Sequence, residues 1–249
     1  MNEIEYCEKN SIARGVWNVS QTSYKIISYA CFLLLSDGST DWVEFKMKDL
    51  LKALGIADGK KTREIINVSL EQVFSAYIEY EIKPDTWIKQ HWFQNMVYKK
   101  DWTLCRLKFN PDIVPYLREK NNFFIKNLSD IAKLKSSYAI SFYTIGQSYS
   151  GFAGKNGNAP GTWYFTFDMQ KLKKILSVKQ NEYADNYEFF RRCIKAPLEE
   201  INKKNLAFSI MAEKIKDGKE ITGYRFECKS KNLDWVNFVD EMKTKNLLG

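Results

Sequence analysis

Histidine is nearly missing from this chain: of 249 residues, only His91 is one. A metal centre built on two histidines, such as DNA-nicking enzymes place beside a nucleophilic tyrosine, therefore cannot be assembled, and His91 reads as structural. Cysteine is sparse and badly spaced for metal or redox work. Cys7, Cys31, Cys105, Cys193 and Cys228 are five in number, scattered and without a CxxC pair, so reduced and mostly buried thiols are expected. Long apolar runs are missing as well. The longest, Tyr29 to Leu35, falls far short of the roughly 20 residues that a membrane-spanning helix needs. The opening MNEIEYCEKN is acidic and unlike a signal segment. These absences point to the cytoplasm and away from a membrane partner.

Catalytic signatures are missing too. GFAGKNG, residues 151–157, looks superficially like a phosphate loop. That loop demands glycine at position 149, where Tyr149 stands, and serine or threonine after Lys155, where Asn156 stands. The adjacent carboxylates Glu199 and Glu200 diverge around a helix and do not converge on a substrate. No cofactor, no metal and no enzymatic activity are expected.

What the chain does have is basic charge, with 38 Lys and Arg against 30 Asp and Glu, a net charge of +8 and a pI near 9.0. That favours an anionic partner without choosing between nucleic acid and a lipid surface. With 45% hydrophobic and 15% aromatic residues there is ample material for one large core or two ordinary ones.

A weak internal repeat decides between these. FKMKDLLKALGI from Phe45 aligns with FDMQKLKKILSV from Phe167, matching at Phe, Met, Leu, Lys and Leu. Upstream, Ser28, Tyr29 and Ala30 in one apolar helix correspond to Ser137, Tyr138 and Ala139 in another. Downstream, each half continues with a more polar helix, residues 61–74 and 186–204, and then with alternating strand-like residues, AYIEYEI from Ala76 and AFSIMAEKI from Ala207. Helix, strand, helix, helix, hairpin is the order of a winged helix-turn-helix, whose second paired helix enters the major groove. The predicted fold is therefore α+β, two tandem winged-helix domains related by duplication. Residues 1–126 form the first, with Pro111–Asn127 as a connecting helix, and residues 127–249 form the second. Three candidate strands, AYIEYEI, QHWFQNMVY and TLCRLKF, fill the first hairpin region. Asp217 and Gly218 mark a tight hairpin tip in the second, Gly151–Gly161 reads as a flexible loop, and residues 232–245 have helical spacing.

The candidate DNA contacts follow from this frame. Phe190, Ile194, Leu198 and Ile201 recur at helical spacing as a buried stripe. Arg191, Arg192 and Lys195 then face outward, where a guanidinium can bind guanine in two places or grip phosphate. A merely solvated helix would look the same. The basic hairpin tip beside it, with Lys214, Lys216 and Lys219, favours the DNA reading, and Lys179, Tyr183, Asn186, Lys203 and Lys204 flank the helix on either side. Pro197 inside the helix cannot donate to the Cys193 carbonyl, so a local bend is expected. In the first half, Lys60, Lys61, Arg63 and Asn67 occupy the start of the matching helix. Glu64 and Glu71 oppose DNA contact there unless they face inward or accept from a cytosine. Residues 127–249 carry 20 basic and 14 acidic residues, against 18 and 16 before them, so the second domain is the stronger reader.

YADNYEFFRRCIKAPLEEIN, residues 183–202, resembles the hallmark of the replication initiators of theta-replicating, iteron-containing plasmids: a Tyr, then Phe-Arg-Arg, then Glu-Ile-Asn, followed by a basic hairpin. The segment from Asn18 to Leu35 is similar to that family's opening. The resemblance implies two winged-helix domains on one iteron, with Arg191 and Arg192 on the reading helix and Glu200, Ile201 and Asn202 in capping and packing. It further implies monomers that initiate replication by binding direct repeats of duplex DNA, homodimers joined through the N-terminal domain that repress the initiator gene, and recruitment of the host's initiator and helicase. A tandem winged-helix transcriptional regulator, preferring inverted repeats, is the alternative.

Overall fold

The computed structural model describes residues 5–37, 41–83, 86–99, 101, 103–118, 123–179, 182–183 and 185–231. The helix expected over residues 232–245 lies outside them. The chain divides into two compact units, residues 1–137 and 138–249.

In the first unit, strand β1 (Glu5–Lys9), a helical turn α1 (Asn10–Ala13) and the short strand β2 (Val16–Trp17) lead into helix α2 (Gln21–Asp37). This helix is apolar nearly all round, with Tyr24, Ile26, Ile27, Tyr29, Ala30, Cys31 and Leu34 all buried, as a helix at the centre of a core must be. Strand β3 (Trp42–Lys46), helix α3 (Met47–Ala53) and helix α4 (Lys60–Ser75) come next, then strands β4 (Tyr77–Lys83), β5 (Thr86–His91), β6 (Phe93–Tyr98) and β7 (Leu104–Phe109). Helix α5 (Val114–Arg118), strand β8 (Phe123–Asn127) and helix α6 (Leu128–Lys133) close the unit.

Three expectations are corrected here. Pro111–Asn127 is not one connecting helix: only Val114–Arg118 is helical, and Phe123–Asn127 is a strand paired antiparallel with β1. The hairpin region holds four strands instead of three, because QHWFQNMVY breaks at Trp92, between β5 and β6. The strand after α4 also leaves the sheet that the duplication assigned to it. Strand β4 joins β2 and β5 in one sheet, while β3 pairs with β7 and β7 with β6 in another. The wing of this unit is therefore β6–β7, and β4–β5 is an inserted hairpin.

The second unit keeps the plain order. Helix α7 (Ser137–Ser148), strand β9 (Thr162–Asp168) and helix α8 (Met169–Ile175) precede a long helix running from Asn186 to Lys203. Its parts are α9 (Asn186–Phe189), a π-helical stretch (Phe190–Lys195) and α10 (Ala196–Lys203). Strands β10 (Phe208–Asp217) and β11 (Glu220–Ser230) form the wing, and β11 also pairs with β9. Strand β9 starts helix α8 cleanly because the Asp168 side chain caps it, accepting from the Lys171 N–H at 2.7 Å. The hairpin tip is Gly218–Lys219, one residue later than expected, with Gly218 in the left-handed region at φ 58°. The glycine-rich loop is a run of hydrogen-bonded turns, including Gly154 N–H to the Ala159 carbonyl and Thr162 N–H to the same oxygen.

Aromatic packing holds this unit together. Phe208 stacks on Tyr143 at 4.5 Å and meets Trp163 at 5.1 Å. Trp163 donates its indole N–H to the Gly146 carbonyl at 2.8 Å. A Cβ on Gly146 would sit 2.7 Å from the Phe208 ring, and that ring is wedged between two others. Gly146→Ala is expected to destabilise the protein by about 1–3 kcal/mol through overpacking, read as a lowered midpoint in urea at unchanged slope.

Candidate nucleic-acid interface

The long helix of the second unit occupies the reading position of a winged helix. Asp185 caps it by accepting from the Tyr187 N–H at 2.8 Å. Pro197 has the effect expected of a missing donor, and it takes the form of a wide turn. The Ala196 N–H reaches back five residues to the Arg191 carbonyl, a π-helical bond where an α-helix would have reached four. The widened turn keeps the proline ring clear of the Cys193 carbonyl, which it would crowd in an α-helix.

That extra residue shifts the buried stripe. Phe189, Cys193, Ile194, Leu198 and Ile201 are buried, so Phe189 replaces Phe190 as the first core residue. Phe190 turns toward the wing, stacked on Tyr224 at 5.8 Å, with the Lys214 ammonium 4.9 Å from its ring centre. Cys193 is pinned under the helix by the hydroxyls of Tyr138 and Tyr183, and burial pushes its thiol up to about 11. Tyr183, on a left-handed φ of 56°, thus faces the thiol.

Arg191 and Arg192 face outward, as expected, but neither is alone. Glu188 accepts from Arg191 Nε at 3.0 Å and Nη2 at 2.9 Å, and from Arg192 Nε at 2.8 Å. The two guanidinium groups, Arg191's first, hold the Glu188 carboxyl below the usual carboxylate range. Lys195 and Lys203 lie 4.0 and 3.9 Å from Glu199. These pairs are exposed, so they contribute little to stability and yield readily to a competing anion. Asn186, Lys179, Lys216 and Lys219 are exposed as well, whereas Lys204 is half-buried and its carbonyl accepts from Lys231 Nζ at 2.9 Å. Asn202 has the packing role expected of it: its amide donates to the Ile210 carbonyl at 2.8 Å and accepts from the Ile210 N–H at 2.9 Å. The end of the reading helix is thereby tied to the first wing strand.

The sequence reading missed Tyr187. It is 67% exposed in the first turn of the reading helix, and its only signal is its place beside the N-cap, since a tyrosine in a helix usually indicates core.

The first unit presents a different surface. Ile66, Ser69, Leu70 and Val73 form the buried face of α4, and Lys60 and Lys61 stand exposed at its start. Arg63 is held in a two-point pair by Asp58, with both bonds at 2.7 Å, and this lowers the Asp58 carboxyl. Asn67 lines a cavity of about 300 Å³ with Arg63, Lys46, Lys48 and Thr103. Its side-chain oxygen is buried there without a hydrogen-bond partner. Glu64 and Glu71 are exposed, so of the two alternatives only acceptance from a base remains open to them.

Cys31, Cys105, Cys193 and Cys228 are buried thiols, and His91 is exposed on β5. Among the described residues, no three His, Cys, Asp or Glu side chains converge as metal ligands would. Among them also, no helix is long and apolar enough to cross a membrane.

Comparison with known proteins agrees with this geometry. Residues 5–147 match the family described as "Initiator Replication protein, WH1" and residues 168–228 match "Initiator Rep protein, WH2". Among solved structures, the chain is similar to the Pi initiator protein in complex with iteron DNA, at TM-score 0.70 and 18% identity, over 93% of this chain and 99% of that one. It also matches domains 2 and 3 of RctB, at TM-score 0.48 and 10% identity, over 85% and 81% of the two chains. No curated protein sequence matches.

The tie between helix and wing can be tested by itself. Asn202→Ala removes two hydrogen bonds and leaves the Ile210 backbone unpaired, which is expected to cost about 1–3 kcal/mol in urea unfolding. Asn202→Asp is expected to be no milder, because it sets a carboxylate against the Ile210 carbonyl.

Proposed function

The chain belongs to the initiator replication protein family, its WH1 and WH2 regions together spanning most of its length, and on that premise we propose that it binds the directly repeated iterons of a plasmid origin to start replication. The observation that carries this reading is the helix from Asn186 to Lys203, which turns Arg191, Arg192 and Lys195 away from its core beside a wing bearing Lys214, Lys216 and Lys219. An arginine there binds guanine O6 and N7 in the major groove or a phosphate at its edge, and the wing lysines lie along the backbone. The fold match to a protein solved with iteron DNA supports the same docking. The protein acts by binding and not by catalysis, in the cytoplasm. It recruits the host's initiator and helicase as a monomer, and as a dimer joined through its first unit it represses its own gene.

The test is fluorescence anisotropy and footprinting on duplex DNA flanking the protein's own gene, against scrambled duplex, over a salt series. Protection of direct repeats, with affinity falling along a log–log slope of about −0.9 per phosphate contacted, is the expected outcome. Protection of inverted repeats at a promoter would point to a transcriptional regulator, and equal weak binding to both duplexes would end the proposal. Arg191→Ala and Arg192→Ala are each expected to weaken specific binding about ten- to a hundredfold where they read a base. A phosphate contact would instead show as a shallower salt slope. Lys60→Ala and Lys61→Ala are expected to weaken binding less.

A further inference from the structure

The outward face of α4 is unusual for a helix that meets DNA. From Lys61 to Val68 it carries Lys61, Glu64, Ile65 and Val68, and the two aliphatic residues are 48% and 60% exposed. They stand three residues apart and so are neighbours on the helix surface, across from the buried Ile66, Leu70 and Val73. Phosphate oxygens offer such side chains nothing. The major groove contains one apolar group at a base edge, the 5-methyl of thymine. The position of the pair selects that occupant: it follows by one to two turns Lys60 and Lys61, which are placed at the groove-entering end of the helix to take the flanking phosphates.

The second unit shows the same arrangement in a smaller form. When the stripes Ile66, Leu70, Val73 and Ile194, Leu198, Ile201 are aligned by their common spacing, exposed Val68 falls on exposed Ala196. Both reading helices thus present an uncharged aliphatic group at that position, and the first enlarges it and adds Ile65.

We infer that Ile65 and Val68 are specificity-determining residues that recognise thymine methyl groups in the iteron. This rests on the DNA-binding reading above and assigns the first unit a part in it. Sequence is read there by apolar contact, with Glu64 beside the pair to accept from a cytosine amino group, and the charge-based grip falls to the second unit. A weakly basic first unit then costs little sequence discrimination, because methyl contacts need no counterion release.

The experiment uses the full chain and the duplex recovered by footprinting, synthesised with thymidine or with deoxyuridine in its place, which removes only the methyl groups. Wild-type protein is expected to bind the uracil duplex about fourfold more weakly for each methyl it buries, at unchanged salt slope. The double variant Ile65→Ala, Val68→Ala is expected to bind the thymine duplex more weakly and to lose most of the discrimination between the two. Both positions are exposed and alanine favours helix, so the variant is expected to unfold at the wild-type urea concentration or above. Equal binding of wild type to both duplexes would overturn the inference while leaving DNA binding intact, as would undiminished discrimination in the double variant. Failure of wild type to prefer any flanking duplex over scrambled DNA would instead overturn the reading on which it rests.

Discussion

One missing N–H sets the geometry of the second unit's reading helix. Pro197 has no donor for the carbonyl four residues back, and the chain answers with a π turn in which Ala196 bonds to Arg191. The insertion rotates the residues before it by one position relative to those after it. Ile194, Leu198 and Ile201 keep ordinary α spacing, while toward the N-terminus the core continues through Cys193 and Phe189, so that the stripe there runs one residue ahead of the one that Ile194 would continue. Phe190 is released to stack on Tyr224 in the wing, and Arg191 and Arg192 emerge side by side next to Glu188. Had the helix stayed α-helical throughout, Phe190 would have occupied the stripe. A π turn at a functional helix is a common device for re-aiming side chains, and here its cause can be named.

The second anchor is Asn202. Its side-chain amide imitates a strand residue, giving and receiving a bond with Ile210, so the last turn of the helix and the first strand of the wing move as one body. Phe190 and Lys214 make a further contact between the same two elements. Helix and hairpin are the two parts that a winged helix brings to DNA, and both contacts fix their mutual position before any ligand arrives. Such preorganisation reduces the ordering cost of binding.

Much of this was legible in the sequence, and what was not had a common physical origin. The bounds of the two reading helices, the Phe45 and Phe167 repeat, the second-unit hairpin and the outward arginines follow from local periodicity and turn chemistry, which neighbouring residues determine. Strand pairing does not. AYIEYEI and AFSIMAEKI look alike because both alternate, yet β4 pairs with β2 and β5 whereas β10 pairs with β11. Nothing within either segment states its partner. Residues 123–127 became a strand because β1, more than a hundred residues earlier, offers an edge. A helical wheel assumes an uninterrupted α-helix and so starts the stripe at Phe190, one residue after the buried Phe189. The Glu188 pairings could have been found, since three- and four-residue spacings of opposite charge are a known helix signal.

Both units hold an arginine of the reading helix against a nearby carboxylate: Arg63 against Asp58, and Arg191 with Arg192 against Glu188. At the surface such pairs add little to stability, so their effect lies elsewhere. Each pair narrows the rotamers of a guanidinium that would otherwise sweep through many, until a competing anion displaces the carboxylate, and it reduces the long-range field that the cation would present to distant phosphates. A narrowed rotamer set favours the two-point geometry of a base edge, while the reduced field weakens attraction to DNA of any sequence. Arginines left unpaired would raise affinity everywhere, to the benefit of the vast excess of wrong sites. Carboxylates within the interface therefore oppose affinity and favour discrimination, and they explain how a chain with a net charge of +8 can carry 30 acidic residues, several of them on its reading helices.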